Sequence, residues 1–252
     1  MPDKYLVFSP EQHFIGTPRD AGLEFDHVRF PAADGVSLHG WFVPGESEVT
    51  FLWFHGNAGN ISHRIFGLSM LRQALGVSSF IFDYRGYGFS EGKPSEKGTY
   101  LDAEAALEYL RSRSDVKTDK VVLFGHSLGC AIAVEMATRY GAYGLALEAP
   151  FDSIKGMGRR LYPRLPMGVL IHLVRSRFDS MSKIGNVHVP LLVLHGDRDA
   201  TIPIEVGWSL FDAANEPKRF HVIKGGGHSD GHMIGGADYY KALQAFVENP
   251  AP

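Results

Sequence analysis

Hydrophobic and polar positions alternate along two N-terminal segments, and the pattern then changes to a rotation of apolar strand, loop and helix. Residues 24–31 and 36–43 alternate with a period of two and are separated by Ala33-Asp34-Gly35, which predicts an antiparallel hairpin. Beyond the hairpin, the predicted strands cover residues 49–54, 78–83, 120–124, 143–148, 190–195 and 219–223. The predicted helices cover residues 61–75, 96–113, 128–140, 204–213 and 237–248.

Buried strands that alternate with helices indicate an α/β protein with a mostly parallel, eight-stranded sheet flanked by helices. Residues 1–252 are predicted to form a single domain, since 252 residues with 44% hydrophobic content can bury one large core. One segment, residues 151–189, is too long for a simple crossover between strands. We expect it to form a short helical cap inserted in the domain.

Composition narrows the classes of partner. A net charge of −3 gives no general attraction to nucleic acid, so no nucleic-acid partner is expected. The single cysteine, Cys130, excludes an internal disulfide, and no cysteine–histidine cluster suggests a structural metal. The sequence has neither an apolar run long enough to span a bilayer nor a secretory signal, which predicts a cytoplasmic protein.

The run VVLFGHSLGCAIAVEMA, residues 121–137, is the most informative part of the chain. An apolar strand breaks at Gly125 and, after Ser127 and Gly129, becomes a helix. A serine on such a sharp turn needs these glycines because larger side chains would collide where the backbone doubles back. Ser127 is therefore the predicted nucleophile, placed at a helix N-terminus that favours an oxyanion. We expect Cys130 to pack the helix on the sheet rather than to act as a reactive thiol.

A serine hydroxyl needs a base, and the base needs an orienting acid. His228, in the GGGHSDGH loop after the last strand, is the predicted base, and His232 is the main alternative. The run HGDRDATIP supplies Asp199 as the predicted acid, whereas Asp197 is expected to shape the turn. Asp152 would serve only in a different topology and is expected to cap the helix that follows it.

The loop HGNAGN, residues 55–60, follows the strand at 49–54 and is rich in glycine and asparagine. Such a loop can turn a backbone amide toward a developing oxyanion. Asn57 is the favoured donor and Ala58 the alternative, while Leu128 supplies a second amide because it follows the nucleophile. The other interpretation of the loop is an ordinary turn that caps the helix beginning at Ile61.

The loop DYRGYGFSEG follows the strand at 78–83. Asp83 and Arg85 are expected to form an ion pair that secures this turn rather than to contact substrate. Tyr84 and Phe89 are candidates for walls of a substrate pocket.

The predicted cap contributes further pocket candidates, Met157, Leu161 and Leu165, and its prolines break it into short helices. It carries seven basic side chains against two aspartates. Contact of this basic, apolar segment with an anionic lipid surface or with an acidic group of the substrate is one hypothesis. A solvated helical face is the favoured interpretation.

Taken together, HGNAGN, FDYRGYGFSEG, GHSLG, HGDRDATIP and GGGHSD resemble, in order and spacing, the serine hydrolases of the α/β-hydrolase superfamily. The first two motifs are similar to the branch that includes bacterial esterases and membrane-anchored depalmitoylating hydrolases. The resemblance implies an α/β-hydrolase fold, a triad of Ser127, Asp199 and His228, and oxyanion donors at Asn57 and Leu128. It also implies no metal and no organic cofactor.

The predicted function is hydrolysis of carboxylic esters of small molecules, with short to medium acyl chains, through an acyl-enzyme on Ser127. The alternative is a thioesterase, such as a depalmitoylase, or an amide hydrolase that uses the same residues. The N-terminal membrane helix or lipidated cysteine-rich segment of many relatives is missing from this sequence, which speaks against a lipidated protein as substrate. A non-catalytic binding module is least favoured because all three triad residues are present. The sequence does not indicate an oligomeric state.

Overall fold

Apolar runs form the strands of one central sheet in the computed structural model, which describes residues 7–161 and 175–251. The hairpin and the six later strands that the pattern predicts are all present, and their ends differ from the predicted ones by at most two residues. A short separate pair is formed by β1 (Ser9–Pro10) and β5 (Ala58–Gly59). The sheet contains β2 (Asp26–Pro31), β3 (Ser37–Val43), β4 (Thr50–Phe54), β6 (Ser78–Asp83), β7 (Val121–His126), β8 (Gly144–Glu148), β9 (Leu191–Gly196) and β10 (Lys218–Ile223).

The eight strands lie in the order β10-β9-β8-β7-β4-β6-β3-β2. β2 and β3 form the predicted antiparallel hairpin, and β3 is also antiparallel to β6. All the other neighbours are parallel. This arrangement confirms the predicted mostly parallel, eight-stranded sheet.

Helices cover both faces of the sheet because its strands are apolar on both sides. On β4, Leu52 and Phe54 face one core cluster, whereas Phe51 and Trp53 face the other. The first cluster is completed by α2 (Glu96–Ser112), α3 (Leu128–Tyr140) and α5 (Ile204–Asp212). The second is completed by α1 (Ile65–Leu75) and α7 (Gly236–Glu248). The two remaining α-helices in the described ranges are α4 (Ile154–Leu161) and α6 (Gly231–Ile234).

Local signals set the ends of several helices. The Ser95 side chain accepts a hydrogen bond from the Gly98 amide and so caps the start of α2. Gly76, with φ at 66°, ends α1 in the left-handed conformation that glycine adopts without strain. Within the described ranges, no helix combines the length and the apolar character needed to cross a bilayer.

β4 is the strand at which the order of the sheet reverses, since β6 lies on one side of it and β7 on the other. The loops after β4 and β7 therefore leave the same edge of the sheet side by side. Phe54 is paired with Gly125, so the two loops begin at the same level. Such a switch point, at the carboxyl ends of parallel strands, is where binding sites of open α/β sheets form.

The turn between β7 and α3 is tight and strained. Ser127 has φ and ψ of 53° and −116°, a conformation that non-glycine residues rarely adopt. A Cβ on Gly129 would lie 1.9 Å from the carbonyl oxygen of Phe54, and one on Gly125 would lie 2.6 Å from that of Gly129. Both glycines of the motif are therefore required by the close approach of backbone to backbone.

Arg85 and Asp83 do not form the predicted ion pair. The Arg85 guanidinium pairs with Asp102 on α2, at 2.8 Å, and with Asp34, at 2.7 Å. Asp83 accepts a hydrogen bond from the Ile61 amide at 3.0 Å, on the face of the sheet that α1 covers. The two side chains lie toward opposite faces of the sheet, so each secures its loop through a different partner.

Only part of the predicted cap falls in the described ranges. Met157, on α4, packs against the core, and Asp152 lies at the start of this helix, where it pairs with Arg160. Leu165 lies outside the described residues, and α4 ends at Leu161, whose side chain is also outside them. The role of residues 151–189 as a cap stays a prediction.

Replacing Gly129 by alanine should destabilise the fold by about 3 kcal/mol, because the added methyl group collides with backbone that cannot move alone. Urea unfolding monitored by circular dichroism measures this difference. Gly185→Ala is the matched control, since a Cβ there would find its nearest atom at 3.8 Å. Equal midpoints for the two variants would contradict the proposed backbone collision.

Candidate active site

Three predicted side chains meet at the carboxyl edge of the sheet. Nε2 of His228 lies 3.0 Å from Oγ of Ser127, and Nδ1 of the same ring lies 2.8 Å from Oδ2 of Asp199. Ser127 follows β7, Asp199 follows β9 and His228 follows β10. The parallel strands thus bring together residues that are far apart in sequence. The array matches a nucleophile, a base and an orienting acid in geometry.

Asp199 is held as a carboxylate. The amides of Thr201 and Ile202 each donate a 2.8 Å hydrogen bond to Oδ1, and the side chain is buried. Burial by itself raises the pKa of Asp199. Hydrogen bonds from His195, His228 and the Ile202 amide outweigh burial, and the pKa lies below its usual range. The negative charge beside His228 therefore persists throughout the neutral and mildly acidic range.

His195 is a second histidine beside this acid, and the sequence reasoning did not single it out. Its Nε2 donates to the Ile202 carbonyl at 2.9 Å and lies 3.5 Å from Oδ2 of Asp199. His195 is a fully buried polar residue in an otherwise apolar strand, β9. A polar residue in an otherwise apolar strand was the feature of the sequence that could have indicated His195 as part of the site.

The alternative acid and base lie in other places. Asp197 accepts a 2.7 Å hydrogen bond from the Gly225 amide and so ties the loop after β9 to the loop after β10. This is a turn-shaping role, as the sequence suggested. The His232 ring packs 5.6 Å from the Phe66 ring, and it is His228 that contacts the serine.

The loop after β4 packs directly against the nucleophile. A Cβ on Gly56 would lie 3.1 Å from Nδ1 of His126 and 3.6 Å from Cβ of Ser127. The carbonyl of the next residue, Asn57, accepts hydrogen bonds from the Ser9 amide at 3.0 Å and the Tyr87 hydroxyl at 2.7 Å. The loop backbone is therefore fixed beside Ser127.

Asn60, the second asparagine of this loop, has a structural role. Its side chain accepts from the Ser62 amide, which caps the short 3-10 helix Ile61–Arg64, and donates to the carbonyls of Glu11 and His13. The capping interpretation of HGNAGN is thus correct for Asn60, and it leaves Asn57 available for another role.

Leu128 is the first residue of α3, and its amide hydrogen has no acceptor within the helix. It directly follows Ser127, at the positive end of the helix dipole. Together with the loop that packs on Ser127 at Gly56, this places two backbone segments beside the nucleophile. Their action as oxyanion donors stays a prediction.

The predicted pocket walls differ in their surroundings. Tyr84 is fully buried, stacks on His55 and donates to its carbonyl at 2.8 Å. It therefore supports the loop from below and does not line an open pocket. Phe89 is half exposed and stacks on Phe14 at 4.1 Å. Ala58 is exposed in the loop itself, and its place in a pocket stays a prediction.

Cys130 packs α3 on the sheet. Its thiol is fully buried, and Sγ donates to the carbonyls of Gly125 and Glu148. Burial raises the pKa of Cys130 well above its ordinary value, and the charge of Glu148 raises it further. The raised pKa keeps the thiol protonated, and the thiol is a far weaker nucleophile than the thiolate.

Two further polar residues lie beneath the turn. Nε2 of His126 donates to the His228 carbonyl at 2.9 Å, and burial lowers the pKa of His126 to about 3, so the ring is neutral. The Glu148 carbonyl accepts from the Ser127 amide at 2.9 Å. The side chain of Glu148 accepts from the Tyr239 hydroxyl, and burial raises its pKa to about 7.

In the described ranges, no three His, Cys, Asp or Glu side chains are grouped to hold a metal ion.

Glu148→Gln should flatten the dependence of stability on pH between pH 5 and 7. The folded wild type retains a proton that the unfolded chain, with an ordinary pKa of 4.5, has already released. Its free energy of unfolding therefore falls as the pH rises through this window, by at most about 3 kcal/mol. Glutamine can still accept from Tyr239 but does not titrate.

Urea unfolding at pH 5, 6, 7 and 8 measures the effect, and Glu205→Gln, at an exposed position, is the control with an unchanged slope. Parallel curves for Glu148→Gln and the wild type would show that the buried carboxyl is not responsible.

Comparison with known proteins agrees with this geometry. The family described as alpha/beta hydrolase fold matches residues 49–157. An uncharacterised protein of Mycobacterium tuberculosis is 39% identical over 86% of this chain and 77% of its own length. The alpha/beta hydrolase domain-containing protein WAV2 of Arabidopsis thaliana is 34% identical over 94% of this chain and 82% of its own length.

Solved structures are similar over nearly the whole chain. The Pyrococcus furiosus esterase Pf2001 has a TM-score of 0.79 at 20% identity, covering 96% of this chain and 97% of its own. The esterase domain of a Rhodothermus marinus protein has a TM-score of 0.67 at 20% identity, covering 89% of this chain and 98% of its own. These likenesses confirm the predicted fold.

Proposed function

This chain belongs to the α/β-hydrolase family, and we propose that it is a serine hydrolase that cleaves carboxylic esters through an acyl-enzyme on Ser127. The observation that carries the proposal is the continuous hydrogen-bonded array from Ser127 through His228 to Asp199. The two structural neighbours named above are esterases, which supports the same reaction class. Placement in the HGNAGN-bearing branch of bacterial esterases and depalmitoylase-like hydrolases is part of this proposal.

In the first half of the reaction, Nε2 of His228 removes the proton from Oγ of Ser127 as Oγ attacks the ester carbonyl carbon. The π electrons of the carbonyl move onto its oxygen, and the amides of Asn57 and Leu128 would stabilise the resulting oxyanion. Asp199 orients the His228 ring and stabilises its positive charge. Since the pKa of Asp199 is lowered, it remains ionised while His228 is protonated.

Collapse of the tetrahedral intermediate breaks the bond to the alcohol oxygen, and His228 donates its proton to this leaving group. In the second half, His228 takes a proton from a water molecule, whose oxygen attacks the acyl carbon. The bond to Oγ then breaks, His228 returns the proton to Ser127, and the carboxylic acid is released. No redox step and no external group are required.

Ser127→Ala should reduce hydrolysis of p-nitrophenyl esters by a factor of about 10⁴ or more, because no other group can form the acyl-enzyme. It should also abolish covalent labelling by a fluorophosphonate probe, while circular dichroism shows an intact fold. Ser209→Ala, on the exposed side of α5, is the matched control with full activity and labelling. Undiminished turnover by Ser127→Ala would refute the mechanism.

The proposed preference for short to medium acyl chains and oxygen esters is tested on matched substrates. We expect kcat/KM for p-nitrophenyl esters to be highest between about two and eight acyl carbons and to fall at sixteen. An oxygen ester and the thioester of the same acyl group, supplied together, rank the two bonds directly. Preferential consumption of the long-chain thioester would favour a depalmitoylase-like activity instead.

A further inference from the structure

A cavity of about 110 Å³ lies beside the triad, on the face of the sheet that α1 and α7 cover. It borders the triad through His126, which precedes the nucleophile, and Ser229, which follows the base. Its apolar floor includes Trp53 and Phe124, from β4 and β7. Arg64, Phe66, Glu148 and His232 also line it.

Arg64 supplies the permanent charge of this cavity. One Nη atom donates to the Ala58 carbonyl at 3.3 Å, and Nε is buried without a hydrogen-bond partner in the described part of the chain. No carboxylate of residues 7–161 and 175–251 forms an ion pair with this guanidinium. Burial lowers the pKa of Arg64, yet arginine remains protonated in proteins. The charge of Glu148 acts on Arg64 from a distance and raises its pKa, but the two side chains form no salt bridge. A partly desolvated cation that is incompletely paired is unfavourable, and an anion in the cavity would relieve it.

The other polar groups do not neutralise this charge fully. Glu148 is the acidic side chain of the cavity, and burial raises its pKa to about 7, so a large fraction is uncharged near neutral pH. When protonated, Glu148 can donate a hydrogen bond. Burial lowers the pKa of His232, so its ring is neutral near neutral pH and carries one N–H that can donate, whereas the N–H of His126 is already bonded to the His228 carbonyl. The cavity therefore combines one fixed cation with several possible hydrogen-bond donors.

The cavity is accessible from solution and adjacent to the HGNAGN loop, residues 55–60. Phe66, on its rim, is 54% exposed. The hydrogen bond from Arg64 to Ala58 connects the guanidinium to the loop that packs on Ser127. The volume suits a compact group of a few heavy atoms rather than a long acyl chain.

We propose that this cavity is an anion-binding subsite in which Arg64 binds a compact carboxylate or phosphate group. The anionic group is either part of the ester substrate, which rests on the hydrolase activity proposed above, or a free anion that binds beside the active site. Bidentate recognition of a carboxylate or phosphate is the characteristic use of a guanidinium fork.

Binding is tested first without catalysis, in the Ser127→Ala variant. Inorganic phosphate and propionate are titrated separately, and the unfolding temperature and two-dimensional NMR spectra are followed. We expect a saturable rise in Tm and shifts of resonances around the cavity. Adding Arg64→Met should weaken the affinity by about ten- to a hundredfold, because a charge-assisted hydrogen bond is lost.

Arg72→Met is the matched control, since Arg72 lies on α1, which directly follows Arg64, but pairs with Glu46 outside the cavity. Arg64→Lys keeps the charge without the bidentate fork and should retain an intermediate affinity. It also keeps the test valid if the methionine variant folds poorly.

Catalysis is tested with a pair of esters of equal acyl length, p-nitrophenyl valerate and mono-p-nitrophenyl glutarate, of which only the second carries a free carboxylate. The readout is the ratio of kcat/KM for the charged ester to that for the neutral ester. A substitution that disturbs the HGNAGN loop would slow both esters alike, so its effect cancels in the ratio. If the anion belongs to the substrate, Arg64→Met should lower this ratio about ten- to a hundredfold, and Arg72→Met should not change it.

Each outcome is informative. Arg64-dependent binding with an unchanged ratio identifies a site for a free anion, whereas a changed ratio identifies a substrate subsite. Failure of both esters to react contradicts the proposed hydrolase, and the binding titration still decides the anion site. Absence of Arg64-dependent binding together with an unchanged ratio overturns the subsite.

Discussion

The close approach of the β7–α3 turn to the end of β4 is the constraint on which the site depends. The space between Gly129 and the Phe54 carbonyl admits no side chain, and Ser127 adopts a strained conformation as a result. This contact brings the nucleophile against the loop at Gly56 and places beside it the first amide of α3, which has no acceptor within the helix. A side chain at Gly125 or Gly129 would push the turn away from β4 and separate the nucleophile from the loop beside it.

The parallel sheet brings the three side chains of the site together around this contact. β7, β9 and β10 end at one edge, so that a serine, an aspartate and a histidine from three distant parts of the chain form one hydrogen-bonded array. The supporting bonds come from residues next to each member. The amides of Thr201 and Ile202 hold Asp199, and His126 holds the carbonyl of His228.

Charge is distributed unevenly beneath the active edge. Asp199 keeps its negative charge because hydrogen bonds outweigh burial, whereas Glu148, whose single strong donor is Tyr239, has a raised pKa. Burial raises the pKa of both carboxyl groups, and the larger number of hydrogen bonds to Asp199 reverses the direction there but not at Glu148. The half-buried Arg64 adds a cation to the same region, at the cavity beside the triad.

The sequence by itself determined the succession of strands and helices along the chain, the sharp turn that carries Ser127, and the three members of the array. Glycines, apolar periodicity and chain order are local or sequential signals, which is why they can be read without the fold. The tertiary structure decided which partners each charge would have. Arg85 pairs with Asp102 and Asp34 instead of Asp83. Tyr84 is buried under the loop that it was expected to flank. His195 and Arg64 lie close to the site, although neither belongs to a sequence motif that predicts this position. The physical reason is that an ion pair or a cavity depends on distances between elements, which no spacing along the chain records.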